Sequence, residues 1–262
     1  MSPNRRRIFP NRRDFLKLSG LALASLALNF DRVPRLETSS VPQLWEGSLD
    51  SPDVALTYDD CYLVTVMQKL ETILESYPQV KVTLFPVGVA LLSNENKDPG
   101  IWKRFYEKGH EIGYHSFEHI NPGLQTADSV IKDFDRWIEA CTQVLGLTPE
   151  IRFARPPYGV ISASFLEMCK QRNLVVTMWS TGWGGTYDNA ASDIRKTRGG
   201  DIVLMHIRTD DINNTSQGLA QRTDDGLRFV TLSDLYFSYL MDQYGFGQCN
   251  PWYEQHLQTC PE

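Results

Sequence analysis

The apolar run Val54-Ala55-Leu56-Thr57-Tyr58 passes directly into two aspartates, Asp59 and Asp60, and this junction of buried strand and charge recurs along the chain. Further strands are read at Val80–Val87, His110–His115, Ile151–Ala154, Leu174–Trp179 and Asp201–His206. Between them apolar residues fall three and four apart, as Val66, Leu70, Ile73 and Leu74 do in a helix over Tyr62–Ser76. A helix carrying Trp102, Phe105 and Tyr106 ends at Gly109, and the longest, over Thr126–Leu145, stops at Gly146. Others are read near Ser162–Arg172, Ala190–Lys196 and Leu232–Tyr244, the last opened by Thr231 or Ser233. Strands alternating with helices call for parallel pairing with the helices outside, in an open doubly wound sheet or a closed barrel. No G-x-G-x-x-G or P-loop follows the first strand, so a nucleotide site lacks its fingerprint.

The chemistry-bearing residues gather at one end of these strands. Asp59, Asp60, His115, His119, Arg155 and His206 all lie at or just beyond a strand's C-terminal end, where α/β folds build sites. His115-Ser116-Phe117-Glu118-His119 spaces two imidazoles four residues apart, which one helical turn would put on one face. With Asp60 they make three protein ligands, the usual catalytic arrangement with one position open; Glu118 stays open as a ligand, although its place between the two histidines favours another direction. Asp-Asp alone also reads as a helix N-cap and acidic first turn. In Arg155-Pro156-Pro157-Tyr158-Gly159 two prolines stiffen the turn, presetting Arg155 and the Tyr158 amide. Phe117, Tyr62 and Trp183 offer faces on which a sugar could stack, and Trp179 reads as core.

Taken in order, Thr57-Tyr58-Asp59-Asp60, His115-Ser116-Phe117-Glu118-His119, Arg155-Pro156-Pro157-Tyr158-Gly159 and Leu204-Met205-His206 resemble the motifs of the NodB-type polysaccharide deacetylases, carbohydrate esterase family 4. The likeness covers roughly residues 52–240. It implies a distorted (β/α)7 barrel and one divalent metal ion, zinc, with cobalt, nickel or manganese as alternatives. Asp60, His115 and His119 would hold that metal. Asp59 would be the general base, oriented by Arg155, and the Tyr158 amide would face the oxyanion. His206 would be the general acid, and Leu204 would line the acetyl pocket beside Trp183 and Phe117 as sugar contacts. The implied activity is removal of N-acetyl groups from an amino-sugar polysaccharide or oligosaccharide. A polysaccharide O-acetyl esterase and a non-catalytic carbohydrate-binding protein are the alternatives. The sequence departs from the family pattern twice: Cys61 follows the paired aspartates where glycine is common, and Trp179–Gly185 has no carboxylate to support His206. Asp188 and Asp193 are the candidate substitutes.

The first 40 residues stand apart. They carry eight basic residues against three acidic, leaving 18 basic against 29 acidic over residues 41–262, a formal charge near −11. So acidic a body opposes sequence-independent binding to nucleic acid. Asn11-Arg12-Arg13-Asp14-Phe15-Leu16-Lys17 ahead of the apolar run Leu18–Phe30 resembles a twin-arginine export signal, too short for a stable membrane span of ~20 residues. The expected organisation is therefore signal and linker over 1–40 and one catalytic domain over 41–262. The expected product is an exported monomer, periplasmic or extracellular. Five cysteines without a C-x-x-C pair argue against a sulfur-bound structural zinc, and Cys249 with Cys260 is the plausible local disulfide.

Overall fold

The computed structural model describes residues 41–182, 194–222 and 224–244. The leader, Trp183, Asp188, Asp193, Cys249, His256 and Cys260 lie outside them. In chain order the strands are β1 (Gln43–Leu44), β2 (Asp53–Asp60), β3 (Thr83–Pro86), β4 (Glu111–Ile112), β5 (Phe153–Ala154), β6 (Val175–Thr177), β7 (Thr181–Gly182), β8 (Ile202–His206) and β9 (Arg228–Val230). The helices are α1 (Val64–Glu75), α2 (Gly88–Lys97), α3 (Ile101–Glu107), α4 (Ala127–Leu145), α5 (Ala163–Gln171), α6 (Thr209–Arg222) and α7 (Leu232–Tyr244).

Every strand pairing among the described residues is parallel. One sheet runs β4-β3-β2-β8-β7, with β9 added to the start of β2, and a second runs β1-β6-β5. The bridge between Tyr114 and Ala154 joins them into a curved wall. Parallel strands with helices outside agree with the distorted (β/α)7 barrel expected from the sequence. Its central strand is β2, in which Val54 through Tyr58 are all buried, the continuous apolar signature of a strand covered on both faces.

Local chemistry explains the long helix. Thr126 caps α4 by accepting from the Ser129 amide at 3.2 Å, and Gly146 closes it at φ 74°. Val130, Phe134, Trp137, Cys141 and Val144 form its buried stripe. The Trp137 indole donates to the Pro86 carbonyl at 2.8 Å, tying α4 to the end of β3.

Two expectations are corrected here. The strand read over His110–His115 is only Glu111–Ile112, and His115–His119 is a loop rather than a helical turn. Ser116 and His119 adopt φ of 65° and 59°, which no α-helix allows. Cys61, Cys141 and Cys169 are buried free thiols. Among the described residues, no helix is long and apolar enough to cross a membrane.

Candidate active site

Asp59 and Asp60 end β2, level in the sheet with His206 of β8 and with Phe85 and Pro86 of β3. The chain turns sharply after them, with φ of 65° at Asp60 and 61° at Cys61. Both carboxylates reach the same cavity, with His115 Nε2 3.7 Å from Asp59 Oδ2 and 3.6 Å from Asp60 Oδ1.

Asp59 goes inward and is 4% exposed. Its Oδ1 accepts from Arg155 Nη1 at 2.7 Å. Arg155 is itself wholly buried and spends its other donors on Thr57 Oγ1 at 2.7 Å, the Met178 carbonyl at 2.8 Å and the Thr177 carbonyl at 3.4 Å. Its guanidinium also lies 4.4 Å from the centre of the Phe85 ring. Burial pulls the Arg155 pKa down while Asp59 pulls it back up. A guanidinium so placed stays charged and holds Asp59 in one orientation.

Asp60 faces two imidazoles. Its Oδ1 lies 3.6 Å from His115 Nε2 and 3.3 Å from His119 Nε2, and this buried oxygen accepts no hydrogen bond. His115 Nδ1 lies 2.8 Å from the Arg155 carbonyl, which can only accept, so the proton sits on Nδ1 and Nε2 is bare. That is the tautomer a metal ligand needs, fixed by its outer hydrogen bond. Burial works against the charge on Asp60, but His115, then His119 and His206, hold its carboxyl below the usual range. Burial likewise works against charge on His115, yet Asp59 and Asp60 raise its pKa; burial and the His115 charge lower that of His119. An unpaired acceptor among two imidazoles, with all three ligand atoms within 4.8 Å of one another, fits a divalent cation.

The loop bearing these histidines is anchored from α4. Asp133 accepts from the Tyr114 hydroxyl at 2.5 Å and from the Phe117 amide at 2.8 Å, and Ser116 Oγ accepts from the His119 amide at 2.8 Å. Neither Asp133 nor Tyr114 was legible as a site residue, since the spacing to α4 becomes a contact only in the fold. Phe117 departs from its expected place: it is 4% exposed, covered by the Arg136 guanidinium at 3.7 Å and seated against Gly88. A Cβ on Gly88 would approach that ring to 2.2 Å, so Phe117 packs and offers no face to a sugar.

Asp59, Asp60, His115, His119, Pro156, Tyr158, Gly159, Trp179, Leu204, His206 and Arg208 line one cavity of about 330 Å³. Tyr158 sits in a tight turn at φ 59°, its side chain exposed and its ring 4.5 Å from that of His119. Among the described residues its amide finds no acceptor. Trp179, read from the sequence as core, lines this cavity. The ring nitrogen Nδ1 of His206 meets Arg208 Nη2 at 3.3 Å, where a supporting carboxylate was expected. An arginine only donates, so that contact requires a bare Nδ1 and a proton on Nε2.

Residues 46–177 match the family model described as polysaccharide deacetylase. The chain belongs to the polysaccharide deacetylase family. Among curated members it is 27% identical to a peptidoglycan-N-acetylglucosamine deacetylase of Bacillus cereus, over 73% of this chain and 71% of that one. It is 30% identical to the peptidoglycan-N-acetylglucosamine deacetylase PgdA of Listeria monocytogenes over 82% of this chain, but spans only 45% of that protein. Among solved structures, a family 4 pseudoenzyme from Bacillus anthracis superposes with a TM-score of 0.65 at 19% identity, covering 76% of this chain and 70% of that one. That likeness speaks for the fold alone.

Proposed function

We propose that this chain is a metal-dependent hydrolase that removes N-acetyl groups from an amino-sugar glycan, with peptidoglycan strands as the substrate class. One observation carries the reading: the partnerless Asp60 Oδ1 faces two imidazole nitrogens in the cavity where Arg155 pins Asp59. A binding protein would need no buried arginine to orient a carboxylate beside such a ligand set.

Asp60, His115 and His119 would hold the cation, and a donor set of two nitrogens and one oxygen suits zinc. When bound, it supplies Lewis-acid polarisation of the acetyl carbonyl and lowers the pKa of water. Asp59 has one oxygen committed to Arg155, and the other accepts the proton of the attacking water. As water adds to the carbonyl carbon, the Tyr158 amide donates to the oxygen that gains charge. To protonate the departing nitrogen as the carbon–nitrogen bond breaks, His206 must carry a proton on both ring nitrogens, so its Arg208 contact opens before acetate and the free amine are released. Leu204, Pro156 and Trp179 shape the space for the acetyl methyl.

A second reading, release of O-acetyl groups, is favoured by the Arg208 contact on His206. An arginine stands at Nδ1 where a supporting carboxylate would stand, and an alkoxide leaves with less help than an amide nitrogen. Export through the leader belongs to the same proposal and rests on the Asn11–Lys17 pattern.

The deciding experiment measures acetate release from N-acetylated and O-acetylated glycan oligomers by the full chain, with chelator and then with zinc restored. Metal-dependent release from the N-acetylated oligomers supports the reading. Release from the O-acetylated ones alone replaces it with the second. No release from either, with metal bound one to one, overturns both.

A further inference from the structure

The cavity wall carries one charged side chain that the deacetylation chemistry leaves unused. Arg208 follows β8 directly, and its backbone amide donates to the His206 carbonyl at 2.8 Å. Its Nε and Nη2 donate to a single oxygen, Asp211 Oδ2, at 3.3 and 3.1 Å. Asp211 is itself buried at the start of α6, and the same oxygen takes the His206 amide at 2.9 Å. The guanidinium is thus fixed from behind by a carboxylate that cannot move away. Its front is open: the side chain is 49% exposed, and among the described residues Nη1 has no partner.

This differs from the two neighbouring charges. Arg155 is buried and turned onto Asp59, and Asp60 is turned onto the histidines. Arg208 is the one arginine in this lining, and its half-exposed guanidinium leaves Nη1 uncommitted among the described residues. A guanidinium whose Nε and Nη2 are held by Asp211 and His206 keeps its Nη1 protons for an incoming carboxylate, with the entropy of holding the side chain already spent. A neutral N-acetylglucosamine chain offers nothing of that charge.

We propose that Arg208 is a specificity-determining residue that reads a carboxylate on the substrate, on the acetylated sugar or its neighbour, so that acidic amino-sugar glycans are preferred over neutral ones. The inference rests on the deacetylase reading and names the substrate class within it. A lactyl ether on the amino sugar and an adjoining uronic acid would both present this group.

The test follows acetate release by the full, metal-loaded chain on two carboxylate-bearing oligomers, one alternating N-acetylglucosamine with N-acetylmuramic acid and one alternating it with glucuronic acid. Each is compared with its methyl ester, which keeps the shape and removes the charge. Wild type should favour at least one free acid over its ester by about tenfold in kcat/KM, carried mainly by KM and weakened by salt. The acid that shows the preference names the source of the carboxylate. In Arg208→Gln the acid-to-ester ratio should fall toward one, and in Arg208→Lys it should be intermediate, because charge survives without the planar guanidinium that Asp211 holds in place. The ratio separates recognition from any effect of Arg208 on His206, which would slow acid and ester alike. Equal rates on acid and ester in wild type overturn the inference, and so does an undiminished ratio in Arg208→Gln. The wild-type comparison stands even if a variant fails to fold. Absence of turnover on every oligomer, N-acetylglucosamine chains included, would instead overturn the deacetylase reading itself.

Discussion

Arg155 Nη1 lies 2.7 Å from Asp59 Oδ1, and neither residue is more than 4% exposed. Arg155 keeps the Thr57 hydroxyl and two carbonyls as acceptors without the Asp59 charge, whereas the Asp59 carboxylate takes its hydrogen bond from Arg155, so the two substitutions should part company. Arg155→Met should destabilise the fold by about 3–5 kcal/mol, read as a lower urea midpoint, because the Asp59 charge loses its partner. Asp59→Asn keeps the shape and an acceptor for Arg155, so it should fold and bind metal with stability closer to wild type. Its turnover should nevertheless drop by on the order of 10²–10⁴ in kcat. Comparable activity in Asp59→Asn would remove that residue from the role of base.

The ligand set can be tested without turnover. Zinc should raise the melting temperature of the wild-type chain and chelator should lower it, since a ligand at about 100 times its Kd adds about 2.7 kcal/mol. His119→Ala and Asp60→Ala should each abolish most of that shift and weaken binding by about 100-fold or more. Titration calorimetry with zinc gives the affinity. A full thermal shift in either variant would mean the cation sits elsewhere.

Tyr158 contributes its amide rather than its phenol to the proposed chemistry. Tyr158→Gly keeps that amide and relieves a left-handed backbone, so stability should hold or rise by up to about 1 kcal/mol. Its kcat should stay within about tenfold of wild type, with KM rising as the exposed ring is lost. Tyr158→Val, a β-branched residue at φ 59°, should cost about 1–2 kcal/mol instead. A collapse of kcat in the glycine variant would assign the phenol a direct part.

His110 governs an acid-side loss of stability. Burial first, then the charges of Lys81 and Lys108, push its pKa down to about 4 from 6.5. Above pH 6.5 the ring is neutral whether the chain is folded or not. Between there and about 4 only the unfolded chain takes up the proton, so stability falls as pH falls, by about 2–3 kcal/mol across the window. His110→Asn, which can still accept from the Val82 amide, should lose less stability between pH 7 and 4.5 than wild type. Equal slopes of urea stability against pH would show that other groups set the acid limit.

What the sequence revealed follows from where its signals are strong. Val54–Tyr58 is continuous and apolar because β2 is covered on both faces, and the α4 stripe is plain because only one side of that helix is buried. Helix α6 went unread for the opposite reason. It buries Asp211, Thr215 and Gly218 alongside only Ile212 and Leu219, so no apolar period appears. Hydrogen bonding and close approach hold it instead: Thr215 bonds the Tyr58 hydroxyl at 2.7 Å, and Gly218 lets the helix close on Ile194. Helix α2 also went unread: it begins at Gly88 and buries only Gly88, Ala90, Leu91 and Asn94, too few apolar residues to show a period. Arg208 carried no motif signal, since its meaning depends on Asp211 three residues on and on a cavity built from distant strands. The spacing of His115 and His119 pointed to two rings that do meet, but on the wrong geometry, because left-handed residues bring two rings together as readily as a helical turn does.

The pairing of β9 with β2 sets the order in which this molecule can be finished. Arg228–Val230 lie beside Asp53–Ala55, and Arg228 and Ser238 both reach back to the Asp53 carboxylate at 2.7 and 2.6 Å. The strand that ends in Asp59 and Asp60 therefore lacks its last neighbour until some 175 further residues have left the ribosome. Contacts so distant along the chain form late and slowly. A nascent chain would carry Asp60, His115 and His119 well before it could hold them in place, so the proposed cation site would be completed only in the finished protein.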